Sequence, residues 1–358
     1  MAVTIQDIAD ELNISVSTVS RSLRNDRVIN PQTRARIQAA AMDMGYQGRI
    51  RRKQQRLPQK HLKIVAVFAT ENLQELSKDS NNLHYMEGLE AEADAMNAKV
   101  VYEALSFEVR QHLSKKTLPS SIRTGKPNAI ICIGHFPAGN VQILSQYAPI
   151  VSLTWDYDPT PCDMVRADES RAFTQVVDEL VALGHRRIRW VGEFDKDNAT
   201  RPYRISGFIA GCLKHNIPIN DSCTRSYHAL YHDSQLPYMI DHQHGITQPE
   251  ILKSWITEQG ITALVCQSDR VAHNVLLNLK RLGIDVPTQV SVTGFDDQLT
   301  PDGLERLTTF DCLFMEQART AMRVAQQRVE RPTAFPQRIL HLARLIRGNT
   351  TAPPRELT

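Results

Sequence analysis

Thr4-Ile5-Gln6-Asp7-Ile8-Ala9-Asp10-Glu11-Leu12-Asn13-Ile14-Ser15-Val16-Ser17-Thr18-Val19-Ser20-Arg21 opens the chain, and its spacing decides the first unit. Thr4 followed three residues later by Asp7 is a capping-box pattern, with Thr4 as N-cap. Ile5, Ile8, Ala9 and Leu12 then recur at i, i+3, i+4 and i+7, one face of a helix. Asn13-Ile14 interrupts the stripe, Ser15 is a second N-cap, and Val16, Val19 and Leu23 resume at helical spacing. Asn25-Asp26 signals a turn. Asn30-Pro31 places a cap before a proline at the first helical position. Ile37, Ala40, Ala41 and Met44 form a third stripe, which Gly45 stops. Three short helices with a very tight first turn make a helix-turn-helix pattern. The second helix displays Val16, Ser17, Thr18, Ser20 and Arg21, a face small enough to approach base edges in a major groove.

Charge points the same way. The formal net charge is only +3, but residues 1–60 hold eleven Lys/Arg against five Asp/Glu, so that segment carries +6 and the remainder −3. Arg49, Arg51, Arg52, Lys53, Arg56, Lys60 and Lys63 follow one another with no acid between them. A basic segment on a mildly acidic body suits a polyanion such as DNA.

These residues resemble the headpiece of the lac/gal-repressor (LacI/GalR) family, on Thr4 to Ala9, on the serine-rich Ser15 to Arg21 and on Thr33-Arg34 through Met44-Gly45-Tyr46. The resemblance implies that Val16, Ser17 and Arg21 read bases. It places Gln6 where a first-helix residue meets DNA, and Ser15, Thr18, Asn30 and Thr33 where phosphate contacts are usual. The side chains suit those roles in part: a Val methyl packs on a thymine methyl and Arg forks onto guanine. The hinge departs from the family. An alanine followed three residues later by a minor-groove leucine is usual, and Arg52 and Gln55 stand at those positions here. Either Ile50 or Leu57 is the wedge in a shifted register, or the segment binds DNA by charge through Arg49, Arg51, Arg52 and Lys53.

The body, residues 62–346, alternates apolar runs with helical stretches. Strands are expected at Lys63–Ala69, Lys99–Ala104, Ala129–Ile133, Ile150–Leu153, Ile188–Gly192, Ala263–Cys266 and Val290–Gly294, and helices at Met86–Met96, Glu169–Leu183, Tyr203–His215 and Asp269–Leu282. Repeated strand–helix units mean parallel α/β sheets, and nearly 300 residues mean two of them. The resemblance extends here through Leu180-Val181-Ala182-Leu183-Gly184-His185, through Val286-Pro287 to Gly294-Phe295-Asp296-Asp297, and through Arg347 to Thr351. It implies an all-α helix-turn-helix headpiece followed by a two-lobed, periplasmic-binding-protein-like α/β core that closes on a small ligand. The expected segments are a headpiece at 1–46, a basic hinge at 47–61, an effector-binding and dimerisation core at 62–346 and a tail at 347–358.

Ligands of open α/β sheets bind beyond the carboxyl ends of strands. A sugar, with hydroxyl edges and apolar faces, wants planar polar groups and an aromatic wall. By resemblance Asp296 and Arg204 are the effector-contacting acid and base, and together they fix several hydroxyls. Ser268-Asp269 stands where the family often has Asn-Asp, Phe314 lies at the spacing of an aromatic wall, and Trp155 and Asp156 follow the strand Ile150–Leu153 toward the cleft. The body looks most like repressors of β-galactoside-utilisation operons, which points to a galactoside. A co-repressor or non-sugar metabolite is the alternative, and a sugar-processing enzyme fused to a DNA-binding head the remote one.

Other classes find no support. The chain has no G-x-S-x-G elbow, no G-x-x-x-x-G-K-[ST] loop and no G-x-G-x-x-G fingerprint, so no catalytic residues and no cofactor are expected. The six cysteines show no C-x-x-C spacing, and Cys132 and Cys266 read as core residues. His228, His232, His242 and His244 cluster, but Asp233, Pro237 and Asp241 among them read as loop, so no metal is expected. No apolar run approaches the ~18 residues of a membrane span. The first residues lack a basic and apolar leader, so a cytoplasmic protein without membrane partner is expected. Residues 347–358 carry no apolar heptads, so a homodimer is expected rather than a tetramer.

Overall fold

The computed structural model describes residues 3–23, 29–44, 61–157, 160, 162–192, 201–219 and 249–355. The basic residues Arg49, Arg51, Arg52 and Lys53, the alternative wedges Ile50 and Leu57, and the histidine cluster 228–244 lie outside them. The chain divides into two compact units, Met1–His61 and Leu62–Thr358.

The first unit contains α1 (Ile5–Leu12), α2 (Val16–Leu23) and α3 (Pro31–Asp43). Its caps follow from the sequence. Thr4 Oγ1 accepts from the Asp7 amide at 3.3 Å, and Asp7 Oδ2 accepts from the Thr4 amide at 2.6 Å. Asn13 ends α1 in the left-handed region, at φ 54°, which its short polar side chain tolerates. Two residues on, Ser15 Oγ accepts from the Thr18 amide at 3.2 Å and starts α2. Asn30 Oδ1 accepts from the Gln32 amide at 2.9 Å ahead of α3. Ile8, Ala9, Val19, Ile37 and Ala41 form the buried centre, with Ile5, Leu12, Ile14, Leu23 and Met44 around it.

The second unit has two lobes. The strands are β1 (Leu62–Phe68), β2 (Ala98–Ala104), β3 (Ala129–Ile133), β4 (Ile150–Leu153), β5 (Asp163–Ala167), β6 (Ile188–Val191), β7 (Ala263–Cys266), β8 (Ser291–Thr293), β9 (Thr309–Asp311), β10 (Arg338–His341) and β11 (Arg344–Ile346). The first lobe is a six-stranded parallel sheet in the order β10-β5-β4-β3-β1-β2. The second is a parallel β6-β7-β8 sheet, joined by an antiparallel β9-β11 pair. β3 is apolar and buried along its whole length, as a strand covered on both faces must be.

The helices Ser80–Met96 and Phe314–Glu330 cover one face of the first sheet, and Ala138–Ser145 lies on the other. In the second lobe Glu169–Ala182 and Arg201–Lys214 pack on one face, and Pro249–Thr257 and Asp269–Arg281 on the other. A Cβ at Gly207 would strike the Ser170 backbone, so only glycine lets the first two of those helices approach this closely. The chain passes between lobes three times, near residues 167–169, 311–314 and 341–344. Residues 349–352 return to β8: Thr350 Oγ1 donates to the Val292 carbonyl at 2.6 Å, and the Ala352 amide donates to Ser291 Oγ at 3.1 Å.

Candidate nucleic-acid interface and ligand cleft

On the first unit, Gln6, Ser15, Val16, Ser17, Arg21, Asn30 and Thr33 are exposed and Thr18 is half-buried. Val16 is 40% exposed while Val19, one turn away, is wholly buried, so the apolar stripe of α2 does not account for Val16. Ser15 Oγ lies 2.9 Å from Ser17 Oγ and 2.7 Å from Thr18 Oγ1, which lines three hydroxyls along the N-terminus of α2. A helix N-terminus with free amides and hydroxyls suits phosphate. Gln6 holds its amide by donating Nε2 to Asp10 Oδ1 at 2.8 Å.

In the second unit, Arg204 binds three separate segments together. Its Nε donates to Glu169 Oε1 at 2.7 Å, Nη1 to the Gln267 carbonyl at 2.7 Å and Nη2 to Asp296 Oδ1 at 3.3 Å. The guanidinium plane lies 4.5 Å from the centre of the Phe295 ring. Burial works against the charge, but the Asp296 and Glu169 carboxylates outweigh it and raise the pKa, so Arg204 stays a cation. Glu169 also accepts from Arg166 Nη1 at 3.1 Å, and the Arg166 guanidinium covers the Tyr203 ring at 3.5 Å. Tyr203 in turn donates its hydroxyl to Asp156 Oδ2 at 3.2 Å, and Asp156 pairs with Arg338 at 2.9 Å. That hydrogen bond runs from the second lobe to the first.

Asp296 occupies a strained backbone. It and Asp297 have φ of 114° and 48°, two successive non-glycine residues in positive φ space. Such conformations cost on the order of 1–3 kcal/mol each and persist where the surroundings impose them. Here the Asp296 amide donates to the Phe310 carbonyl at 3.1 Å, and Gln298 N donates to Asp269 Oδ2 at 2.7 Å. Burial pushes the Asp296 carboxyl up to about 6, even against the pull of Arg204. Asp269 is fully buried, and its Oδ1 accepts from Thr309 Oγ1 at 2.6 Å. Burial, opposed by those two hydrogen bonds, pushes its carboxyl up to about 7.

The expected cleft residues thus separate into groups. Arg204 and Asp296 meet directly. Asp269 spends one oxygen on the loop that carries Asp296, at Gln298, and the other on Thr309 of β9, and Ser268 caps the helix Asp269–Arg281. Phe314 packs against the cores of both lobes, with its ring edge-on to Tyr85 at 5.1 Å. Asp156 lies on the inter-lobe bond. Trp155 is half-buried in the first lobe, 4.6 Å from the His135 ring. The sequence reading omitted Arg166, Glu169, Tyr203 and Tyr85. Tyr85 is 4% exposed, and among the described residues its hydroxyl has no hydrogen-bond partner. Burial, with Cys312, Asp296 and Glu169 nearby, pushes its pKa well up. The one signal in the sequence was Arg166 and Glu169 three apart across the end of the charge-interrupted stretch 163–167.

Comparison with known proteins fits this arrangement. Residues 4–48 match the profile of the bacterial regulatory proteins of the lacI family, and residues 177–351 match the periplasmic binding protein-like domain. The chain carries a lacI-family DNA-binding domain ahead of a periplasmic-binding-protein-like one. The HTH-type transcriptional regulator GalR of Lacticaseibacillus casei is 25% identical over 354 residues, 96% of this chain and 98% of its own. The HTH-type transcriptional repressor CytR of Escherichia coli K12 is 24% identical, across 99% of this chain and 98% of its own. Among solved structures, a transcriptional regulator CelR–cellobiose complex superimposes with a TM-score of 0.66 at 17% identity, covering 97% of this chain and 99% of that one. The lac repressor dimer bound to operator and the anti-inducer ONPF gives 0.60 at 17% identity, covering 98% and 100%. At that identity the structures speak for the fold alone. This chain, with its lacI-family DNA-binding domain, is a DNA-binding transcriptional regulator, and the curated relatives it matches are regulators rather than enzymes. No helix among the described residues is long and apolar enough to cross a membrane.

Proposed function

We propose that the chain works in the cytoplasm as a homodimeric repressor whose operator affinity is set by a sugar bound between the two core lobes. The observation that carries the reading is the Arg204–Asp296 pair. It lies beyond the carboxyl ends of β6, β7 and β8, with Asp296 on strained backbone, where the chain passes between lobes. A CelR structure holds cellobiose and a CcpA structure from Weissella paramesenteroides holds sucrose, which supports a sugar as the effector class. A galactoside is the first candidate.

In this reading Val16, Ser17 and Arg21 read bases, with Gln6, Ser15, Thr18, Asn30 and Thr33 positioning the headpiece and Arg49, Arg51, Arg52 and Lys53 adding charge. Arg204, Asp296 and Phe314 contact the effector, Asp269 and Ser268 hold the loop and helix around it, and Trp155 and Asp156 close it from the first lobe. The working division is headpiece 1–46, hinge 47–61, core 62–346 and tail 347–358. One small headpiece touches too little DNA alone, so two are needed on a pseudo-palindromic site. The sugar must bind the DNA-competent and DNA-incompetent states unequally; a coupling of ~1–3 kcal/mol changes operator affinity by ~5–150-fold.

The test is a gel shift on DNA upstream of the protein's own gene and its neighbours, at two salt concentrations, with and without mono- and disaccharides. Specific binding released by one sugar is expected. A complex that one sugar tightens makes the ligand a co-repressor. Binding that falls steeply with salt and prefers no fragment leaves only the electrostatic part, and refutes the reading.

A further inference from the structure

We propose that Glu169 selects ligands by charge, so that the cleft accepts an uncharged, hydroxyl-rich molecule and turns away one that carries a carboxylate or phosphate. This rests on the reading of the cleft as an effector site. It goes further by naming the charge class of the effector and the residue that sets it.

The cleft contains arginines, which on composition alone would invite an anion. The geometry withdraws the invitation. Glu169 stands between Arg166 and Arg204 and takes a hydrogen bond from each, at 3.1 and 2.7 Å, with only 7% of its side chain exposed. Arg204 has all its nitrogens engaged inside the protein, by Glu169, Gln267 and Asp296. One face of each guanidinium group is covered as well, Arg204 by Phe295 and Arg166 by Tyr203. Arg338, at the first-lobe side, is committed to Asp156. Arg166 and Arg204, with Arg270 farther out, face Glu169 and Asp296, with Asp79 and Asp269 also acting on Asp296, so the acids offset the cations, and an anion would have to displace a carboxylate that is already buried and paired. Two buried polar atoms of the cluster have no partner among the described residues, Arg166 Nε, on a guanidinium already paired with Glu169 and stacked on Tyr203, and the neutral Tyr85 hydroxyl, close to Cys312, Asp296 and Glu169. The Asp296 and Glu169 carboxylates lend that hydroxyl negative potential, while the Cys312 thiol, its pKa pushed well up by burial, stays neutral. The natural complement of the Tyr85 hydroxyl is a ligand hydroxyl, which both accepts from Tyr85 and donates to a carboxylate.

The experiment uses matched sugars that differ in charge. The full chain is titrated by calorimetry with galactose, galacturonate and galactose 6-phosphate, and with glucose, glucuronate and glucose 6-phosphate, for the wild type and for Glu169→Gln. In the wild type the uncharged member of a pair binds and its anion is weaker by at least ~100-fold, because like charges in a dry site are strongly disfavoured. Glu169→Gln, which frees a positive charge, narrows or inverts that ratio. Wild-type binding of a uronate or phosphate as tight as that of its neutral partner overturns the proposal, as does a folded Glu169→Gln whose ratio is unchanged. Melting curves establish whether Glu169→Gln folds; if it does not, the wild-type ratios still decide the charge class. If no member of either set binds while the same preparation shifts its operator, the sugar reading of the cleft is what has failed, and the charge selection falls with it.

Discussion

Removing the guanidinium at Arg204 tests the cleft most directly. Arg204→Ala deletes three charge-assisted hydrogen bonds and leaves Asp296 buried without its cation, whereas Glu169 keeps Arg166. Breaking a buried ion pair from one side costs ~3–5 kcal/mol. Arg204 retains 17% side-chain exposure and one of its two acids stays paired, so the lower end, about 3 kcal/mol, is the appropriate figure. At ~2–4 °C per kcal/mol for a domain of this class, the core transition should fall by roughly 6–12 °C in differential scanning calorimetry. The loss should depend on pH. Asp296 titrates near 6 beside Arg204 and higher without it, so at pH 5.5 the orphaned carboxyl takes up a proton and most of the penalty disappears. At pH 8 it stays charged and the full penalty shows. A shift below about 2 °C, or one equal at both pH values, would refute the view that Arg204 is the centre of this network. The same variant should retain operator binding and lose its release by sugar.

Further outcomes are expected. Arg21→Ala should weaken specific operator binding by ~1–3 kcal/mol in a gel shift, with the core transition unmoved in calorimetry. Gly294→Ala should destabilise the core by ~1–3 kcal/mol in urea titration, because the new methyl strikes the Asp269 carboxylate and backbone and forces the helix Asp269–Arg281 off the strand end. Asp269 and Asp296 have folded pKa values of about 7 and about 6, above the ordinary 3.8. Their stabilising effect is therefore complete below pH 4 and lost as pH rises through 6 and 7, by up to ~1.4 kcal/mol per pH unit per group. The core should melt higher at pH 5.5 than at pH 8, and Asp269→Asn should flatten that difference.

The sequence disclosed what rests on local chemistry. Thr4 with Asp7, Ser15 and Asn30-Pro31 marked the three helix starts, and the uninterrupted apolar run at 129–133 marked a central strand. Gly294-Phe295-Asp296-Asp297, through its family resemblance, singled out the aspartate that the structure pairs with Arg204. Elements in which charge interrupts the pattern were missed. β5 carries Asp163 and Arg166 within five residues, and β10 and β11 are short and rich in cations. The helix expected from Met86 starts at Ser80, where Asp79 Oδ1 accepts from the Asn81 amide at 2.9 Å, so Tyr85 was left outside it. Glu169 has another explanation: an acid in the first turn of a helix is ordinary dipole chemistry. Its pairing with Arg204 spans 35 positions, and Arg204 with Asp296 spans 92, distances across which one sequence offers no periodicity to read.

The order of strands in the first sheet has a consequence for synthesis. β1 to β5 emerge from the ribosome together, but β10, which closes the β5 edge, follows some 170 residues later, after all of the second lobe except β11 and the segment 349–352. Until then β5 presents an open row of backbone donors and acceptors, and Asp163 waits for the Arg328 fork that will grip it at 2.7 and 2.8 Å. An unpaired parallel edge is a template for association with another chain. The nascent protein therefore has a vulnerable interval that lasts until β10 is made, and slow decoding between residues 168 and 338 should cost yield more than slow decoding anywhere before it.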